Sequence, residues 1–154
     1  MSILNSILSL FGLSGTTEKV GNWVRKSKQI KISELSVVLN LLAQHKAEFE
    51  FIGIASQGTD CIYFVRDKDK FQIEFEVMTE SQFPYLEKLK AFAAQKGYET
   101  ETMTYGNTPR YDASEAPVLR ILTNSDLEQT AEIAQQIQTR VFGNHAETIY
   151  DVVS

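Results

Sequence analysis

Two histidines, one cysteine and a scatter of carboxylates are the side chains in this sequence whose chemistry extends beyond folding. His145 and Glu147 form an H-x-E, which in a zinc deaminase supplies a metal ligand and a general acid–base. The P-C-x-x-C that completes such a centre is absent. No H-E-x-x-H exists, and His45 and His145 lie a hundred residues apart. We therefore read both histidines as helix-end residues, where the helix dipole favours an imidazolium. Cys61 opens the apolar run Cys61-Ile62-Tyr63-Phe64-Val65. It becomes a nucleophile only if a histidine approaches it in space, and is otherwise an inert core residue. As the single cysteine it excludes an intramolecular disulfide and any C-x-x-C redox or zinc pair.

Asp67 and Asp69 begin like a calcium loop, but the Gly and the bidentate Glu that such a loop requires do not follow, so we read a solvated turn. No Gly-rich phosphate cradle, Ser-centred elbow or paired-carboxylate motif is present. These residues name no catalytic group, no metal and no cofactor. What remains is binding. The polar stretch Gly106–Ala116, GNTPRYDASEA, is long for a connection inside a compact domain. Its Asn107, Arg110, Tyr111 and Asp112 have no core duty and are candidate contacts for a ligand or partner. Trp23, set among basic residues, is a further candidate. Glu48, Glu50, Glu74, Glu76, Glu99 and Glu101 alternate along three predicted strands. If those strands are neighbours, one sheet face attracts a basic partner.

The net charge of −5 argues against nucleic-acid binding, which needs a basic surface to displace counterions from phosphates. The charge is divided unevenly. Residues 1–32 carry five bases against one acid, and the remaining residues carry ten bases against nineteen acids. We divide the chain accordingly into an apolar and basic N-terminal helical segment, 1–32, and one α+β domain, 33–154. The opening MSILNSILSLFGL is too short to span a membrane and lacks the basic start of a secretory signal, so a cytoplasmic location is expected. Ile3, Ile7, Leu10 and Phe11 nevertheless share one helical face. That face suits packing on the domain, on a second subunit, or in a membrane interface.

The elements that position these residues follow from periodicity. A second short helix is predicted over about 17–28. Ser33 is the expected N-cap of a helix over about 34–46, striped by Leu35, Val38, Leu39 and Leu42. Strands are predicted over 48–55, 61–66 and 71–77, the last alternating cleanly between Phe71, Ile73, Phe75 and Val77 and the polar Gln72, Glu74 and Glu76. Thr79 with Gln82 reads as a capping box for a helix that Gly97 stops. Strands over 98–105 and 117–123 precede a helix capped by Ser125 with Glu128 and ended by Gly143. Residues 148–153 are a candidate last strand.

The resulting order, α-β-β-β-α-β-β-α with an optional final strand, resembles that of the type III secretion chaperone-like fold. That resemblance covers residues 33–142 and implies a small, acidic, dimeric protein that holds other polypeptides. A competing reading from residue 71, β-α-β-β-α-β, is the ferredoxin-like order, which takes residues 148–153 into the sheet. Both are two-layer α+β sandwiches with helices on one face of an antiparallel sheet. The expected function is a non-enzymatic protein-binding or adaptor module, a homodimer with a basic or hydrophobic protein partner. The alternatives are a ligand-binding or enzymatic pocket under the 106–116 loop, and membrane attachment through residues 1–28.

Overall fold

The computed structural model describes residues 28–45, 50–104 and 116–153. Seven strands form one antiparallel sheet: β1 (Lys28–Lys31), β2 (Phe51–Ala55), β3 (Ile62–Asp67), β4 (Lys70–Glu76), β5 (Glu99–Thr104), β6 (Pro117–Ser125) and β7 (Ile149–Val153). Their spatial order is β1-β7-β2-β3-β4-β6-β5. Among the described residues three helices complete the α+β fold: α1 (Leu35–Ala43), α2 (Phe83–Lys96) and α3 (Leu127–Arg140).

Strand alternation decides which face is dry. Ile52 and Ile54, Ile62 and Phe64, Phe71, Ile73 and Phe75, and Leu119 and Ile121 line up across the paired strands and point one way. With the apolar stripes of the three helices they make a single buried core. α1 supplies Leu35, Val38, Leu39, Leu41 and Leu42 and packs on α3 and β2, which explains why its sequence is apolar over more than half its surface. Gln72, Glu74 and Glu76 belong to the opposite face, which none of the described helices covers and which is called the helix-free face below.

Every neighbouring pair is antiparallel, so β4 and β5 run parallel on either side of β6. Helix α2 makes that crossover. This is the split βαβ of the ferredoxin-like order. The second crossover departs from it. β7 joins the sheet, but beyond β3 and β2 instead of beside β4, because β3 and β2 already occupy the edge of β4. There β7 pairs with β2 on one side and with β1 on the other.

Several expected boundaries move for local reasons. Lys28 opens a strand in place of closing a helix, since Ile30 has a core slot opposite Tyr150. Ser33 caps nothing. It lies inside a 3-10 turn, Ile32–Glu34, whose Glu34 carboxylate accepts the Lys31 N–H at 2.7 Å. The cap of α3 is Asp126, which accepts the Gln129 N–H at 2.8 Å; Ser125 stays in β6 and is buried against Thr130. Gln82 does accept the Thr79 N–H as expected, ahead of Pro84 in the first turn of α2. Gly97, with φ 81°, ends α2 in the left-handed conformation that a side chain resists.

The sheet edges are charged: Lys28 and Lys31 on β1, Glu99 and Glu101 on β5. Such edges discourage further strand pairing. Lys28 is the exception to solvation, at 8% exposure. Burial lowers its ammonium to about 7 from an ordinary 10.5. Between those two values the unfolded chain binds more protons than the folded one, so this site makes stability rise with pH across the window. Lys28→Met should remove that component, seen as a smaller gain in the urea midpoint between about pH 7 and about pH 10. An unchanged gain would place the ammonium in water.

Candidate functional site

The helix-free face carries a cavity of about 410 Å3. Its described walls are Glu50, Phe51, Tyr63, Val65, Glu74, Glu76 and Val153. β2 and β3 supply the aromatic floor, where Phe51 and Tyr63 meet edge to face with ring centroids 5.6 Å apart. Gly53 makes that floor. It faces Tyr63 across the β2–β3 ladder, and a Cβ there would lie 2.7 Å from Tyr63 Cδ1. The ring therefore lies over the glycine backbone, an aromatic filling the gap that a strand glycine leaves.

The other wall is charged. Arg120 stands between Glu74 of β4 and Glu101 of β5 in one cross-strand row. Its Nε donates to Glu74 Oε2 at 2.7 Å, and a second guanidinium nitrogen pairs with the same oxygen. Glu74, Glu76, Glu99 and Glu101 all project from this face by register, as the alternation predicts. Arg120 in the intervening strand β6 breaks the carboxylate run. Glu50 precedes β2, and Glu48 lies outside the described residues. An apolar floor with carboxylates at its border can take an aliphatic or aromatic group attached to a cation. A second hollow of about 300 Å3 lies between α1 and α3, lined by Ser36, Val37, Asn40, Leu127 and Glu128. It offers no convergent charged pair.

The loop candidates Asn107, Arg110, Tyr111 and Asp112, and Trp23, lie outside the described residues. Of the other candidates, Cys61 is buried two positions before Tyr63. Burial pushes its thiol up to about 11, against the downward pull of a hydrogen bond with Tyr63. His45 ends α1 in a left-handed conformation, φ 58°, beside the Arg66 guanidinium. His145 is not at a helix end. It lies five residues past Arg140, where its N–H donates to Thr148 Oγ1 at 3.2 Å. Glu147 pairs with Lys31 at 2.8 Å. Asp67 ends β3 and Asp69 lies in the two-residue hairpin turn that follows, in which Lys68 takes φ 61°. Among the described residues no three His, Cys, Asp or Glu side chains are grouped to hold a metal.

Sequence reasoning missed the floor of the cavity. Phe51, Tyr63 and Val65 read as strand residues, and nothing local says that they face away from the helices. The one usable signal was Gly53 inside an apolar strand, since such a glycine often marks a close approach. Gly53→Ala should destabilise the protein by about 1–3 kcal/mol, the usual cost of overpacking. The same change in a Tyr63→Ser background should be neutral or stabilising, a coupling that a double-mutant cycle of chemical unfolding measures directly. Cys61 gives an independent check of burial. At pH 8 about a thousandth of a thiol with that pKa is ionised, so an aromatic disulfide reagent should titrate no thiol until the protein is unfolded. Compared with known proteins, this chain matches no family model, no curated protein and no solved structure.

Proposed function

We propose that this protein is a non-enzymatic polypeptide-binding module whose helix-free sheet face receives a cationic, amphipathic segment of a protein partner. The observation that carries this reading is the cavity itself: an aromatic floor of Phe51 and Tyr63 bordered by the Glu50 and Glu76 carboxylates, with Glu74 beside them already paired to Arg120. Apolar side chains of a partner gain from leaving water there, at about 25 cal/mol per Å2 buried. Lysine or arginine on the same segment then meets carboxylates held on a rigid sheet, which supplies selectivity and faster encounter more than raw affinity. The resemblance in element order to chaperones that hold polypeptides points the same way. A homodimer through the strand edges is disfavoured by Lys31 on β1 and by Glu99 and Glu101 on β5.

The test uses the full chain and two labelled helical peptides of one apolar pattern, the first carrying lysines and the second glutamates. Fluorescence anisotropy should show saturable binding of the lysine peptide alone. Added salt should weaken it, and Val65→Glu should weaken it about tenfold or more, since that substitution puts an unpaired charge on the floor. Equal binding of both peptides, or indifference to Val65→Glu in a protein that still unfolds cooperatively, would overturn the reading.

A further inference from the structure

Ile149 and Val153 are 46% and 39% exposed, and alternation along β7 places both on the helix-free face. Asp151 stands between them on that face, while Tyr150 and Val152 turn toward the core. Val153 is also a wall of the cavity. β7 therefore carries an apolar–acid–apolar row that continues the chemistry of the cavity along the strand. Across the ladder from it stand Gly53 and Ala55, which are too small to cover it. Asp151 accepts the Gln29 side-chain amide at 3.3 Å, a neutral donor that leaves its charge in place. Lys31, opposite Ile149, is neutralised by Glu147 at 2.8 Å.

We infer that the partner segment is an α-helix lying along β7, with apolar side chains on Val153 and Ile149 and a lysine or arginine on Asp151. This rests on the reading of the helix-free face as a site for a cationic amphipathic segment, and it gives that segment a conformation and a residue pattern. Charge agrees with this occupant, since Asp151 adds a carboxylate to Glu50 and Glu76.

Two constraints select a helix. β7 is paired with β1 on one side and with β2 on the other, so its backbone offers no edge to an added strand. An extended segment laid on the face would leave its own N–H and C=O groups unpaired against apolar side chains, whereas a helix pairs them internally. Spacing then sets the pattern. Ile149 and Val153 are four positions apart, about 13 Å along a strand. A helix rises about 1.5 Å per residue, so anchors at that separation are about eight residues apart. The residue midway falls over Asp151, and positions i, i+4 and i+8 lie on one helical face. The expected order is apolar, basic, apolar at those three positions.

The test uses the full chain and labelled helical peptides of one composition. The first has lysine at i+4 between apolar residues at i and i+8. The second exchanges that lysine with the residue at i+6, on the far side of the helix. The third has glutamate at i+4. Fluorescence anisotropy should show the first peptide binding severalfold more tightly than the second, and a proline at i+6 of the first should abolish its binding. Asp151→Lys should weaken the first peptide about tenfold and strengthen the third, an exchange of preference that misfolding does not produce. Ile149→Ser should weaken the first peptide severalfold in a protein that still unfolds cooperatively. Where that variant does not, the Asp151→Lys exchange decides. Equal binding of the first and second peptides, or full binding of the proline peptide, would overturn the inference. A first peptide weakened by Val65→Glu but indifferent to Asp151→Lys and Ile149→Ser would remove it and leave the binding reading standing. Binding of no peptide would remove both.

Discussion

The buried carboxylate of Asp60 ties together elements that are otherwise remote in sequence. It sits in the β2–β3 connection and is 2% exposed. Burial alone would raise its pKa. The Ser56 hydroxyl, the backbone N–H groups of Gln57 and Ser56, and the Asn144 amide donate to it, and together they hold the carboxyl below its ordinary range. Its backbone carbonyl accepts Gln138 Nε2 at 3.0 Å, and Asn144 in turn donates to Gln138 Oε1 at 2.9 Å. Asn144 also bonds Tyr150, whose hydroxyl burial pushes up to about 12. One loop thereby fixes the end of α3, the turn after it and the middle of β7. Gln82, at the start of α2, reaches the same loop through the Gly58 and Thr59 carbonyls. A buried charge without such donors costs several kcal/mol, so the network is satisfied as a unit or fails as one.

That constraint explains the asymmetry of the sheet. Gln138 of α3 is held to the Asp60 loop, and Tyr150 of β7 is tied to it through Asn144, on a path that returns the chain across β4, β3 and β2 to the far side. β7 then lies between β1 and β2, and the three described helices pack on one face. The other face keeps a side-chain set that would be unreasonable for a solvated sheet. Phe51, Tyr63 and Val65 alternate with core residues on β2 and β3, where a wet face would carry polar groups. The carboxylates beside them are not a packing device either, since Glu74 needs Arg120 to sit at 4% exposure. Apolar floor and carboxylate border are the two features on which the proposed binding of a polypeptide rests.

Much of this was legible from periodicity. Alternation in β4 gave both faces of the central strand, and the Thr79–Gln82 box located α2 to within a turn. β1 was invisible because KQIK has one apolar residue. It is a strand only because Ile30 meets Tyr150, 120 residues later. Ser33 and Ser125 were reasonable caps by residue type, but neighbours competed for the role: Glu34 satisfies the Lys31 N–H, and Asp126 offers α3 a charged acceptor. The cavity was hidden for a deeper reason. Phe51 and Val65 differ from Ile52 and Phe64 by one position in register, and which of two apolar neighbours faces the helices is settled by long-range pairing alone. The Asp60 network was hidden likewise, because its members are ordinary polar residues drawn from four separate segments.

The proposed site would read a partner with two forces that answer to different conditions. Burial of apolar groups on the floor of Phe51, Tyr63 and Val65 does not depend on charge screening. Attraction to the exposed part of the carboxylate border is screened beyond about 8 Å at physiological ionic strength. Affinity for a partner would therefore reside in the apolar pattern that fits around Phe51 and Tyr63, while the carboxylates would set selectivity and the rate of encounter.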